Sequence, residues 1–275
     1  MSEKMSDISK LIQEQESLLT LPEKVSRNVQ LACALEPLPD KPGCTTRYRD
    51  LKPTKTLGMF VAGGVNIGPA FSHLTSYLME NKSPEGIYRF LTEAILLSKT
   101  LRQGGKINQG MLEFLIPLVT AHVLYDAESK SDAGQLFSSA SDLLKKTSKE
   151  DASELIKAKE YGNMISKVEY KYPVSKHDVQ NVFDYYAKEL AIERQKEHTT
   201  GIVHNAQFTE GFLDIKLAYE IFQNSDQIKF SDRVIEAYNG LFKGHSDLGI
   251  GLAADFIAAA LYVAFAYSQG KEVIN

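Results

Sequence analysis

The sequence predicts an all-α protein, a single globular domain of roughly ten helices with a buried apolar helix near the C-terminus. Three observations support this prediction. Apolar residues recur at three- and four-residue spacing through most of the chain, alternating runs of β-branched residues are scarce, and no internal repeat or long linker divides the sequence. Since 275 residues are enough for one large hydrophobic core, we assign residues 1–275 to one domain.

The N-terminal half is predicted to contain helices separated by polar breaks. Val25, Val29 and Ala32 have the spacing of one helix face and predict a helix over residues 22–36. A proline directly after Ser83 is typical of a helix start, because proline needs no hydrogen-bond partner there. The other helices expected in this half cover residues 7–19, 56–80, 84–101 and 110–124.

The C-terminal half is more polar but keeps the helical periodicity. Asp132, Ser175 and Ser231 are candidate N-caps, since their side chains can accept bonds from free backbone N–H groups. The expected helices cover residues 132–146, 150–168, 175–196, 203–223 and 230–243.

A twenty-residue run from Leu248 to Tyr267 contains only one charged residue, Asp255. The run is long enough to span a bilayer, but a carboxylate within a span costs about 2.5–3.5 kcal/mol on insertion scales. A helix buried on all sides produces the same pattern. We therefore expect a central core helix, with a membrane segment as the alternative.

Composition excludes several classes of function. The formal net charge is -4 and no basic stripe occurs, which argues against a nucleic-acid partner. Cys33 and Cys44 have neither metal-binding nor redox spacing, and no two histidines lie at the i, i+4 spacing of a helical zinc site. The N-terminus has no apolar signal region, so we expect a cytoplasmic protein.

The loop from Lys41 to Asp50 concentrates cations between two predicted helices. Lys41, Arg47 and Arg49 occur beside Gly43, and cations with backbone donors suit a phosphorylated anion. The alternative is a solvated connector whose cations pair with nearby aspartates.

Two further features are candidate ligand contacts. The break from Arg102 to Gly110 contains three glycines with Lys106 and Asn108, and it precedes a helix whose N-terminus attracts anions. A plain helix–helix turn would have the same composition. Asp255 is a carboxylate in an apolar helix, so it needs a cation, a metal or several donors. Three partners fit this requirement. Asp255 pairs with a cation of the basic loop, binds magnesium in a pocket, or caps the end of a neighbouring helix.

Taken in order, these segments resemble the triphosphoribosyl-dephospho-CoA synthase family, most closely its archaeal branch. Glu36, then Lys41-Pro42-Gly43 and Arg47, are similar to a glutamate, Lys-Pro-Gly and basic residue of that family. The other matching segments are Ile67 to Ala70, Gly105 to Gly110 with the apolar helix behind it, and Leu248-Gly249 with Ala254-Asp255.

The resemblance implies an all-helical transferase that binds ATP with Mg²⁺. The implied reaction joins a ribose hydroxyl of dephospho-CoA to C1′ of the ATP ribose and expels adenine, with the triphosphate retained. The implied metal-binding or catalytic residues are Glu36, Asp50 and Asp255. The implied substrate contacts are Lys41, Gly43, Arg47, Arg49, Lys106 and Asn108. The alternative is a non-catalytic helical nucleotide-binding protein with the same fold, and the apolar helices would permit a homodimer.

Overall fold

The described part of the chain is helical, as the sequence predicts. The computed structural model describes residues 10–12, 14–53, 55–102, 107–126, 133–169, 172–268 and 273–274. These residues form twelve α-helices and no β-strand; their only β-pairing consists of two isolated bridges within the loop after the first of these helices. The all-α prediction is therefore confirmed.

The twelve helices are numbered here in chain order. They are α1 Leu21–Leu35, α2 Leu57–Asn66, α3 Gly68–Asn81, α4 Arg89–Ser98, α5 Gln109–Ala121, α6 Ala133–Leu144, α7 Lys149–Ser166, α8 Val182–Gln195, α9 Thr199–Thr209, α10 Leu213–Asn224, α11 Phe230–Gly244 and α12 Ile250–Ala266. A π-helical turn at His122–Asp126 follows α5.

Two expected helices are each divided, which explains why there are more than ten. The segment expected over 56–80 breaks at Ile67, because Pro69 lies in the first turn of α3 and has no N–H to continue α2. The segment expected over 203–223 breaks where Gly211 and Phe212 adopt positive φ angles of 87° and 57°. A left-handed backbone cannot continue a right-handed helix, so α9 and α10 are separate.

Polar caps determine where several helices begin. Thr20 and Ser148 each form a capping box, with Glu23 and Asp151 respectively as the reciprocal partner. The expected cap at Ser175 is wrong, because α8 begins later, where the Asn181 side chain accepts a bond from the N–H of Asp184. Asp132 lies outside the described residues.

The apolar run near the C-terminus forms the central helix α12. It packs against α1, α5, α10 and α11, and the side chains from Phe256 to Phe265 are buried continuously. The expected buried C-terminal helix is therefore confirmed. No helix in the described part of the chain is both long and apolar enough to cross a bilayer.

Candidate active site

A cavity of about 350 Å³ lies where α1 ends and where α5 and α12 begin. Its volume is within the usual range for small-molecule sites. Three of the breaks that the sequence marks as ligand contacts meet here, because the packing of α12 against α1 and α5 brings their ends together. Its polar lining includes Glu36, Thr45, Lys55, Asn108, Gln109 and Asp255.

A buried ion pair fixes the carboxylate at the end of α1. The Lys41 ammonium lies 3.0 Å from Oε1 of Glu36 and also donates to the backbone carbonyl of the same residue. Lys41 has no exposed surface and Glu36 is 2% exposed. Lys41 therefore acts on Glu36 rather than on solvent, and Glu36 is the member of the pair that lines the cavity.

Asp255 lies in the first turns of α12 and faces the start of α5. Burial raises the pKa of its carboxyl well above the ordinary value, and the negative charges of Glu36 and Glu113 raise it further. A hydrogen bond from the backbone N–H of Met111 acts in the opposite direction. A carboxyl with these neighbours holds its proton to a higher pH than an ordinary aspartate does.

Two glycines make room for this arrangement. A Cβ atom on Gly110 would overlap Oδ2 of Asp255, so the carboxylate reaches the α5 N-terminus only because this position has no side chain. Gly43 has a φ of 77°, and a Cβ there would lie 2.5 Å from Cδ1 of Ile250. Glycine at position 43 thus lets the loop close against the start of α12.

Asn108 precedes α5 with a left-handed backbone, φ 66°. The residue is 5% exposed and lines the cavity. Neither its Oδ1 nor its Nδ2 has a hydrogen-bond partner within the described structure. Since an unpaired buried polar group costs about 1–3 kcal/mol, two such atoms on one side chain indicate a missing partner.

The other predicted site residues on the loop lie outside the described cavity lining. Arg47 is exposed, with its guanidinium 4.6 Å from the ring centre of Tyr48. Arg49 donates to backbone carbonyls of its own loop at 3.4 Å, and Oδ1 of Asp50 accepts a 2.9 Å bond from the N–H of Leu57. Lys106 lies outside the described residues.

A second cavity, of about 460 Å³, lies on the other side of Asp255. Gln109, Gly110 and Asp255 line both cavities, so they form the boundary between them. The second cavity adds polar groups from α7, α8 and α9, among them Lys159, Glu189 and His204.

The charged groups of the second cavity at Lys159, Glu113 and Glu189 are bonded to one another and to two tyrosines. The Lys159 ammonium lies 3.2 Å from Oε2 of Glu189 and 3.7 Å from Oε2 of Glu113. The hydroxyl of Tyr185 donates to Glu189 at 2.7 Å, and that of Tyr186 donates to Glu113 at 3.2 Å. We name the five residues Lys159, Glu113, Glu189, Tyr185 and Tyr186 the Lys159 network.

Burial would by itself lower the pKa of Lys159, but nearby groups, the Glu113 and Glu189 carboxylates among them, raise it well above its ordinary value. Burial lowers the pKa of His204 at the same cavity. No sequence motif indicated these residues, although Glu113 has the same feature as Asp255. It is a carboxylate within an otherwise apolar helix.

The described residues contain no group of three or more His, Cys, Asp or Glu side chains arranged to hold a metal ion. Glu36 and Asp255 line one cavity, and the charge of Glu36 raises the pKa of Asp255. A nucleotide-bound Mg²⁺ needs only one or two protein carboxylates, because phosphates and water complete its coordination. Glu36, alone or together with Asp255, meets that ligand requirement.

Fold and site together define an all-α protein with two polar cavities that share one carboxylate. The family model for ATP:dephospho-CoA triphosphoribosyl transferase matches residues 22–250. The chain therefore belongs to that family, as the resemblance in the sequence predicts. The match includes Glu36, Lys41 and Asn108, and it ends shortly before Asp255. No curated protein and no solved structure matches the chain.

Proposed function

We propose that this protein transfers the triphosphoribosyl group of ATP to a ribose hydroxyl of dephospho-CoA and releases adenine. The family match supports the reaction. The observation that carries the assignment of the site is the position of Asp255 at the boundary of two cavities. A transferase must bring a donor and an acceptor to one reaction centre, and two adjacent cavities with a shared carboxylate meet that need.

The reaction requires a base that removes the proton of the attacking hydroxyl. A new bond forms between the acceptor hydroxyl oxygen and C1′ of the ATP ribose, while the bond from C1′ to N9 of adenine breaks and its electron pair leaves with adenine. In net terms one proton moves from the hydroxyl to adenine. We assign the removal of the hydroxyl proton to Asp255, because its raised pKa makes the carboxylate a stronger base than an ordinary aspartate.

Glu36 is the proposed carboxylate for Mg²⁺ bound with ATP, and Lys41 fixes its position. Magnesium would supply positive charge to the triphosphate. We do not assign Asp50 to the metal, because its carboxylate accepts a bond at the N-terminus of α2 and the residue is not among those that line the described cavity. Removing the metal with EDTA should stop adenine release, and added Mg²⁺ should restore it.

The triphosphate requires cations near the same cavity. Lys55 lines it, and Arg47 and Arg49 belong to the loop that contributes Gly43 to its wall. We propose that these two arginines contact phosphate oxygens from the outer edge of the loop, since guanidinium groups bind phosphate bidentately. That Lys106 also contacts the phosphates remains a prediction.

The test is a chromatographic assay for free adenine with purified full-length protein, ATP, dephospho-CoA and Mg²⁺. We expect adenine to appear only when both substrates are present, together with a product whose mass is that of dephospho-CoA plus the triphosphoribosyl group. Saturable ATP binding without adenine release would contradict the transferase assignment and support a non-catalytic nucleotide-binding protein.

Two expectations about the cellular setting also belong to this proposal. We propose a cytoplasmic protein. We also propose that it has no nucleic-acid partner, which the net charge of -4 supports. We further propose a homodimer, which sedimentation equilibrium would distinguish from a monomer of 30.6 kDa.

A further inference from the structure

The buried carboxamide of Asn108 has no role in the reaction as described above. Its Oδ1 and Nδ2 both lack partners among the described residues, although the side chain is almost fully buried. The nearby backbone leaves space for it, because a Cβ on Gly63 of α2 would come within 3.3 Å of Nδ2. A buried carboxamide whose oxygen and nitrogen are both unpaired needs a ligand that offers one hydrogen-bond donor and one acceptor side by side.

Adenine offers that pair. Its N6 amino group donates and its N7 accepts, and a carboxamide matches both at once through its oxygen and its NH₂ group. On the same edge of the ring, hypoxanthine presents two acceptors, O6 and N7, so it cannot match a carboxamide placed to bind N6 and N7 of adenine. A phosphate presents only acceptors and would leave Oδ1 unpaired.

The residues around Asn108 keep the neighbouring amide in a fixed orientation. Gln109 donates from Nε2 to Oε1 of Glu113 at 3.0 Å. An ionised carboxylate can only accept, so the amide of Gln109 must present its nitrogen to Glu113. The amide nitrogen of Gln109 is therefore bonded to Glu113 and only its Oε1 lacks a partner among the described residues, whereas both polar atoms of the Asn108 carboxamide lack one.

Resting on the proposed function, we propose that Asn108 recognises an adenine base, with Oδ1 accepting from N6 and Nδ2 donating to N7. Both substrates contain adenine, in ATP and in dephospho-CoA. If the base is that of ATP, donation to N7 also stabilises the negative charge that develops on adenine as the glycosidic bond breaks.

The test compares binding of ATP and of ITP, in which hypoxanthine replaces adenine, by titration calorimetry without the other substrate. Wild-type protein should bind ATP about tenfold to a hundredfold more tightly than ITP. Asn108→Gly and Asn108→Asp both tolerate the positive φ, so the fold should be kept. If the base is that of ATP, Asn108→Gly should bind ATP no more tightly than ITP. Asn108→Asp still accepts from N6 and repels O6 of hypoxanthine, so it should bind ATP more weakly than wild type but keep a preference for ATP. Asn81→Asp, at an exposed position at the end of α3, is the matched control and should keep the preference.

A parallel titration with dephospho-CoA identifies the source of the base. Lower ATP affinity in the variants, with dephospho-CoA affinity unchanged, assigns Asn108 to ATP, and the reverse result assigns it to dephospho-CoA. Affinities of Asn108→Gly for ATP and for dephospho-CoA that both equal those of wild type would overturn the proposal, and so would a preference for ATP over ITP that persists in Asn108→Gly while its affinity for dephospho-CoA is unchanged.

The outcome is separable from the reaction itself. If the wild type releases adenine but Asn108→Gly keeps the wild-type affinity for both ATP and dephospho-CoA, base recognition by Asn108 is wrong and the proposed reaction stands. If the preference depends on Asn108 but no adenine is released, base recognition by Asn108 stands and the proposed reaction is wrong.

Discussion

The two cavities on either side of Asp255 differ in how their polar groups are satisfied. In the second cavity, Lys159 contacts both Glu113 and Glu189, and tyrosine hydroxyls donate to the same carboxylates. In the first cavity, Asn108 has no partner among the described residues, and the pKa of Asp255 is raised by burial and by neighbouring negative charge.

The difference separates structural support from ligand binding. A buried polar network whose charges pair with one another rigidifies the elements it joins. Unpaired buried groups cost free energy, so they are expected where a substrate completes the bonding. We therefore assign the chemistry to the first cavity and to the boundary, and we assign positioning of α5 to the Lys159 network.

The largest expected effect comes from breaking the satisfied network. Lys159→Ala leaves Glu113 and Glu189 without their cation, and breaking a buried pair in this way costs about 3–5 kcal/mol. The melting temperature should fall by roughly 6–20 °C, measured by calorimetry.

Lys157→Ala is the matched control for that change, because this lysine pairs with Glu154 at the surface of the same helix. An exposed pair contributes about 0–1 kcal/mol, so little change is expected. Equal losses in the two variants would contradict the importance of the network.

The next effect concerns the boundary between the cavities. Gly110→Ala should displace the Asp255 carboxylate, because the added Cβ overlaps its Oδ2. A misplacement of about 1 Å can lower a rate by about a hundredfold, so we expect kcat for adenine release to fall with little loss of stability. Gly244→Ala is the control, since a Cβ there meets no atom within 4 Å. A wild-type rate in Gly110→Ala would show that the reaction does not depend on the position of the Asp255 carboxylate.

A smaller effect links the raised pKa of Asp255 to stability. A carboxyl whose folded pKa is raised binds its proton more tightly in the folded state, so ionisation destabilises the fold as pH rises from the unfolded pKa to the folded one. Asp255→Asn removes that cost. The variant should melt at a higher temperature than wild type at pH 7, with a smaller difference near pH 4. A melting temperature below wild type at pH 7 would show that the ionised carboxylate stabilises the fold.

The smallest effect is expected at Asp50. Its carboxylate accepts a bond at the N-terminus of α2, so Asp50→Asn should cost at most about 1 kcal/mol of stability. The rate of adenine release should fall far less than in Asp255→Asn. A loss as large as that of Asp255→Asn would return Asp50 to the active site.

Much of this architecture could be predicted from local patterns. Periodicity located most helices, and the single charge in the run from Leu248 to Tyr267 marked Asp255 as a residue that needs partners. The break at Gly211 and Phe212 could not be predicted, because positive φ at a phenylalanine is imposed by the packing around it. The Lys159 network was equally hidden, since its residues come from three helices that are distant in sequence.

In the loop between α1 and α2, by contrast, the sequence predicts more ligand contacts than the structure places at the cavity. Its composition predicts three cations that face a ligand, but Lys41 is buried against Glu36 and Arg49 donates to carbonyls of its own loop. Sequence composition indicates which charges are present. The contacts within the folded loop decide where these charges lie, and none of the three lines the described cavity.

The most direct test of the central claim is the rate of adenine release by Asp255→Asn with both substrates saturating. If Asp255 removes the proton from the attacking hydroxyl, the rate should fall by about 10²- to 10⁴-fold. Asp142→Asn, an exposed aspartate on α6, should keep the wild-type rate. A wild-type rate in Asp255→Asn would show that the shared carboxylate is not the base and would contradict this account.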